Sequence, residues 1–291
     1  MSLCKLTLSS VITLCLFMMI TVTSSNARIV QYQYFTRSYL PDGICVDNRG
    51  NVYVTSVNPD NVFEEYLTRY AADATLLQQT SLENTGRLEF DPVGGQLWML
   101  AGSQFYRVDT ADLSLEPLID LAELEIDTDN IYDIATGMRF TPFINPNQAS
   151  YGDFALQYED GTYTIFIAGF YTAWHFILRM RVTGDEVQAA QVIVSSGATL
   201  SPNDNSPHGV TVNGSGTVLT TLGKAGTAAN ADQPVSFGAD YPVDDTQPPV
   251  YLFDEYQMFT SRGMTSDLHG NFYVATGWVG GGTAGGGSSC I

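Results

Sequence analysis

Apolar and polar residues alternate in short runs along most of this chain, and the runs are punctuated by glycine and by Asp or Asn. One phrase occurs twice: Gly43-Ile-Cys-Val-Asp47-Asn-Arg-Gly50-Asn51-Val-Tyr-Val54 and Gly263-Met-Thr-Ser-Asp267-Leu-His-Gly270-Asn271-Phe-Tyr-Val274. In each, an apolar run enters Asp-x-x-Gly-Asn and an alternating run leaves it. This pattern predicts a strand, a tight turn and a second strand, with Asp and Asn making local side-chain bonds and glycine supplying a positive φ.

Looser copies lie between the two. Gly209-Val-Thr-Val-Asn213-Gly-Ser-Gly216-Thr-Val-Leu-Thr220 keeps the spacing. Gly86-Arg-Leu-Glu-Phe-Asp91-Pro-Val-Gly-Gly95-Gln-Leu-Trp-Met99 keeps it with one inserted residue, and the stretch from Gly152 to Phe166 is the faintest copy. The leading glycines at 43, 86, 152, 209 and 263 are separated by 43, 66, 57 and 54 residues. A propeller blade of four antiparallel strands needs roughly 40 to 50 residues, and loops lengthen it. The expected fold is therefore all-β: a β-propeller of four-stranded blades, five of them recognisable, forming part of a six-bladed ring. Outside the N-terminus no long segment has helical spacing. Leu118 to Glu125 comes nearest, and reads as a turn or two in a loop or as a polar strand.

The first 27 residues follow a different pattern. A short positive start ending at Lys5 precedes an apolar stretch, Leu6 to Val22, and then Thr23-Ser-Ser-Asn-Ala27. Small residues at 25 and 27 make this a secretory signal peptide, with a retained anchor as the alternative. The expected organisation is a signal peptide at 1–27, a propeller domain at 28–278 and a Gly-rich tail at 279–291. Two readings of that tail stand: a truncation point within a longer propeller, or the flexible end of a complete five-bladed ring.

Composition and charge sharpen this picture. The chain has 16 Tyr, 15 Phe and 27 Gly, a mixture suited to many short strands. Its formal charge is −19, and loss of residues 1–27 would remove one lysine and no acid, leaving Lys224 as the sole lysine. So acidic a chain is repelled by nucleic acid and anionic lipid. The expectation is a secreted or periplasmic protein with no stable membrane span after cleavage. Its expected partners are a small molecule or another protein. Cys45 and Cys290 are the cysteines outside the signal. Cys45 reads as a buried apolar thiol, and a disulfide to the terminal Cys290 as the less favoured option.

The phrase Pro41-Asp-Gly-Ile-x-x-Asp47-x-x-Gly50-Asn51-x-Tyr53-Val54 resembles an NHL repeat, as in the NHL and SMP-30/gluconolactonase-like propellers. Ser206-Pro-His208-Gly-Val and Ser261-Arg262-Gly-Met are similar blade openings. The resemblance implies a propeller that hosts lyases, lactonases, hydrolases or pure binding modules, so fold does not name the activity. The Glu-Gly-Pro opening of metal-dependent lactonases is absent. Pro41-Asp42-Gly43 stands in its place, and Asp has a shorter reach than Glu.

Candidate chemistry follows from the spacing. The innermost strand of a blade runs along the central channel, so the residue before each leading glycine should sit at the channel mouth. These are Asp42, Thr85, Tyr151, His208 and Arg262. They read either as a convergent polar site or as strand-end caps that bind channel water. His208, Arg262 and Asp42 are the candidate catalytic groups, with Thr85 and Tyr151 binding ligand. Asp204 and His208 are candidate ligands for a divalent cation such as calcium, because the Asn203–Asn205 run leads directly to the mouth. His175 reads as packed among aromatics and His269 as solvated. Asn213-Gly-Ser215 matches a glycosylation sequon but falls in a tight turn. The functional expectation is a binding module for a small molecule or protein, with a metal-assisted lyase or hydrolase at the channel mouth as the alternative.

Overall fold

The computed structural model describes residues 39–58, 60–134, 136–142, 144–172, 174–196, 209–223, 231–242, 248–252, 258–259, 261–267 and 270–276. The chain divides into Met1–Arg37 and Ser38–Ile291, and every described residue belongs to the second unit. Residues 1–27, read above as a signal peptide, and the tail at 279–291 lie outside the described residues. No helix among the described residues is long and apolar enough to cross a membrane.

Each leading glycine lies within, or immediately precedes, the first strand of a new sheet. Blade 1 is a meander of β1 (Tyr39–Val46), β2 (Val52–Val57), β3 (Glu65–Tyr70) and β4 (Leu76–Leu82). Blade 2 repeats it with β5 (Arg87–Asp91), β6 (Gln96–Ala101), β7 (Gln104–Val108) and β8 (Leu115–Asp120). The segment 118–125 thus ends a strand and turns. Between blades 2 and 3 the chain forms the short strands β9 (Ile131–Asp133) and β10 (Met138–Phe140), then a 3-10 turn at Pro146–Gln148. Blade 3 continues with β11 (Ser150–Glu159), β12 (Thr162–Tyr171), β13 (Trp174–Thr183) and β14 (Glu186–Ser196), and β9 adds to its outer edge parallel to β14. This added hairpin accounts for the long 86-to-152 spacing. Blade 4 holds β15 (Val210–Val212), β16 (Thr217–Gly223), β17 (Ala231–Gly238), β18 (Val250–Tyr251) and β19 (Met258–Phe259). The described part of the fifth sheet is the pair β20 (Ser261–Ser266) and β21 (Phe272–Thr276).

The fold is a β-propeller in which, among the described residues, four sheets have four strands or more, one fewer than the five blades read from the repeats. The first strands β1, β5, β11, β15 and β20 lie side by side in chain order, as the inner strands of successive blades must.

The repeated phrase folds as its residues dictate. Asp47 Oδ1 accepts the amides of Arg49 and Asn51 at 2.8 and 2.9 Å, and Oδ2 accepts Asn51 Nδ2 at 2.8 Å and the Tyr53 hydroxyl at 3.1 Å. Asp267, Asn271 and Tyr273 repeat the arrangement at 2.8 to 3.0 Å. In blade 4 Asn213 takes the place of the aspartate and accepts the amides of Ser215 and Thr217. The sequon asparagine is thus spent in a turn and buried.

Middle strands are sandwiched between neighbouring blades, which is why they read as unbroken apolar runs. In β6, Leu97 and Met99 pack with Tyr53 and Leu67 of blade 1. Trp98 and Leu100, on the opposite face, pack with Phe154, Ile165 and Ile167 of blade 3. Blade 3 divides in the same way, with Phe166 and Ala168 turned to Val218 and Phe237 of blade 4. The core is thus a series of layers between blades.

The glycines allow the layers to close at the axis. A Cβ on Gly43 would lie 2.5 Å from the Gly86 carbonyl oxygen and 2.7 Å from the Leu88 amide nitrogen. Thr55, fully buried, secures the same point: its Oγ1 accepts the Gly43 amide at 2.8 Å and donates to the Gly86 carbonyl at 2.6 Å. Gly43→Ala should therefore cost about 3 kcal/mol, because the obstructing atoms are backbone. Gly95 has a φ of +70° but nothing within 4 Å of its missing Cβ, so Gly95→Ala should cost only about 1 to 2 kcal/mol of backbone strain. Urea unfolding of both variants measures the difference, and equal or reversed losses would contradict close packing at Gly43.

Candidate functional site

Beyond each leading glycine, side chains of the inner strand alternate between the two blade faces. In β5 this turns Leu88 and Phe90 to the blade 1 layer and leaves Arg87, Glu89 and Asp91 facing blade 3. Three inner strands thereby bring charged groups together. Arg87 Nε donates to the Gly152 carbonyl at 2.7 Å, Nη1 donates to the Asp42 carbonyl, and Nη2 lies 3.4 Å from Asp42 Oδ1. One guanidinium thus joins blades 1, 2 and 3. Asp153, the residue after Gly152, continues the chain: its Oδ2 accepts the Val210 amide of blade 4 at 3.2 Å, and the carboxylate also takes the Met264 amide of the fifth sheet.

Glu89 completes the cluster differently. It is half-buried on β5, and no hydrogen bond to its carboxyl is formed among the described residues. Burial, followed by the negative charges of Asp153 and Asp91, pushes it up to about 8. Burial also raises Asp153, to about 7, against the pull of Arg87 and of the amides it accepts. Cys45, in the layer between blades 1 and 2, is raised by burial first and by Glu89 and Asp47 after it. That thiol is a packed apolar group.

The residues singled out by sequence are placed as follows. Asp42 joins the cluster through Arg87. Thr85 is half-buried in the segment leading into β5. Tyr151 turns into its own blade: its hydroxyl donates to the Pro146 carbonyl at 2.7 Å, its ring meets Phe176 edge-on, and burial raises its hydroxyl pKa. Arg262 is the second residue of β20. Asp204 and His208, and with them the proposed cation ligands, lie outside the described residues. Among the described residues no three His, Cys, Asp or Glu side chains form a metal-binding group. His175 is buried edge-on to Phe170 at 5.0 Å.

The spacing argument stopped at the residue before each glycine. Arg87, Glu89 and Asp153 stand one, three and one places beyond their glycines. The period of two counted onward from Gly86 would have placed Arg87 and Glu89 on the face opposite Leu88 and Phe90.

No known protein family profile matches the sequence, and no curated protein matches it. Solved structures similar in fold include a bifunctional GH43-CE protein from Bacteroides eggerthii, with 12% identity and a TM-score of 0.40 over 75% of this chain and 26% of that one. An α-L-arabinofuranosidase from Podospora anserina in complex with cellotriose has 9% identity and a TM-score of 0.42 over 86% of each chain. The β-propeller domain of the trilobed protease from Pyrococcus furiosus has 11% identity and a TM-score of 0.32 over 82% of this chain and 91% of that one. The chain thus spans about a quarter of the first of these. Likeness at such identity concerns fold alone.

A pH dependence follows from the raised carboxyls. Glu89 and Asp153 hold protons in the folded state that the unfolded chain has already released above about pH 4.5. The folded state binds more protons between that point and about pH 8, so stability should fall as pH rises through this window. Glu89→Gln should remove most of its share, leaving the variant more stable than the parent at pH 8 and close to it at pH 4.5. Urea unfolding at the two values tests this, and a variant less stable at pH 8 would contradict the placement of Glu89.

Proposed function

We propose that this chain is an exported NHL-type propeller that binds a small polar molecule at its central channel. The observation that carries the reading is Glu89: an inner-strand carboxyl, half-buried, without a hydrogen-bond partner among the described residues, beside the tethered Asp153. A carboxyl in that position carries an unmet desolvation cost that a ligand donor or acceptor would offset. Arg87 and Asp153 are spent on neighbouring blades, so they orient the site and Glu89 is the free contact. The export part of the reading rests on the charge and small-residue pattern of residues 1–27. The NHL part rests on the two strong copies of the repeat phrase.

The alternative reading is a lyase or hydrolase, and the elevated Glu89 favours it specifically. A carboxyl that titrates near 8 is protonated at neutral pH and can serve as a general acid. In the metal-assisted form of this reading, Asp204 and His208 would hold a divalent cation, which would supply Lewis-acid chemistry at the mouth.

A thermal-shift panel of neutral sugars and primary amines tests the binding reading. At a hundredfold excess over Kd a ligand adds about 2.7 kcal/mol, or about 5 to 10 °C for a chain of this size. The expected result is that one class raises the Tm of the parent and that Glu89→Gln abolishes the rise. A rise that survives unchanged in Glu89→Gln, or no rise with either class, would contradict it.

A further inference from the structure

A second site lies at the other end of the inner strands, where the turn closing β1 faces blade 2. A cleft of about 430 Å³ opens there, lined by the Asp47–Asn51 turn, Tyr53, Arg69, Phe90 and the Thr110–Ala111 bend. Its volume is within the range of small-ligand sites. Two of the few cationic residues in this acidic chain converge on it. Arg49 is exposed, and its guanidinium forms no ion pair among the described residues. Arg69 is half-buried; its Nη1 donates to the Thr110 carbonyl, while its Nε is buried without a hydrogen-bond partner among the described residues.

The single acid of the lining does not cancel them. Asp47 already accepts four hydrogen bonds, from two amides, Asn51 Nδ2 and the Tyr53 hydroxyl. Its remaining capacity is small, and its charge is held in the turn. The adjoining cleft, by contrast, is internally balanced: Arg107 there pairs with Glu116 and Asp185. The Asp47 cleft therefore combines an excess of guanidinium donors with an apolar wall supplied by Phe90 and Ala111. A planar fork of N–H donors matches a carboxylate in geometry and charge.

We propose that this cleft between blades 1 and 2 binds a small organic acid, its carboxylate held by Arg49 and Arg69 and its apolar body laid against Phe90. The site uses none of the channel carboxyls: Asp42 and Asp153 stand at the glycine end of the inner strands, and Glu89, although next to Phe90 on β5, alternates to the face opposite it.

Calorimetric titration of the full chain with benzoate tests it, with benzamide as the neutral match and inorganic phosphate as an anion lacking the apolar body. Benzoate should bind, benzamide should not, and phosphate should bind more weakly than benzoate. Arg49→Ala changes an exposed side chain, so the fold should persist, and benzoate affinity should drop about tenfold or more. Arg69→Lys keeps the charge and loses the fork, and should weaken binding by a smaller factor. Glu89→Gln should leave benzoate binding intact, which separates this site from the channel. No benzoate binding at millimolar concentration would overturn the proposal. So would unchanged affinity in Arg49→Ala, benzamide binding equal to benzoate, or phosphate binding at least as tight as benzoate.

Discussion

The structure depends on how closely one inner strand can approach the next. At Gly43 the neighbouring backbone is 2.5 Å from where a Cβ would stand, and at Gly209 the Met264 side chain is 2.7 Å from the same position. Side chains there would force the inner strands apart. The layers farther out, Leu97 and Met99 against blade 1 and Trp98 and Leu100 against blade 3, would then lose their interlocking. Interiors packed to crystal-like density do not absorb such shifts. The repeated glycine is therefore a requirement of the axis, and the repeated Asp-x-x-Gly-Asn turn is a requirement of the hairpin.

The same closeness dictates what the inner strands carry. Strands this near one another leave backbone groups facing across blade boundaries, and these must find partners. Thr55 serves one boundary, and Arg87 and Asp153 serve those that follow, so polar residues at the axis are first of all a means of joining blades. Glu89 does not fit that scheme. It stands at the face where Arg87 and Asp153 are consumed by the fold, yet it joins nothing among the described residues, and its proton is held by burial. A group that the architecture does not use, placed where it costs stability at neutral pH, is where chemistry with a ligand is to be sought.

Much of this was legible in the sequence. The glycines at 43, 86, 152, 209 and 263 mark the inner strands, and Asp47, Asn51 and Tyr53 fold as the turn they spell out, because these signals are local. The 66-residue gap held an extra hairpin, β9 and β10, whose three-residue strands are too short to show a period. The cluster of Arg87, Glu89 and Asp153 was missed for a different reason. Asp153 is far from Arg87 and Glu89 in sequence, and only the stacking of blades brings it to them, while the period of two within β5 was not counted past the glycine. Tyr151 shows the converse: its place beside a leading glycine pointed to the channel mouth, but a hydrophobic ring and a hydroxyl with a partner at Pro146 are better accommodated inside the blade.

Native-state hydrogen exchange tests most directly the claim that contacts between inner strands hold the propeller together. The amides of Gly43 and Val210 are bonded to Thr55 Oγ1 and Asp153 Oδ2, each at the inner boundary of a blade. The account predicts that both exchange only through global unfolding, with protection equal to the full stability of the domain, while amides of the exposed outer strand β4 open at far lower free energy. Exchange of Gly43 and Val210 as fast as that of β4 would contradict it.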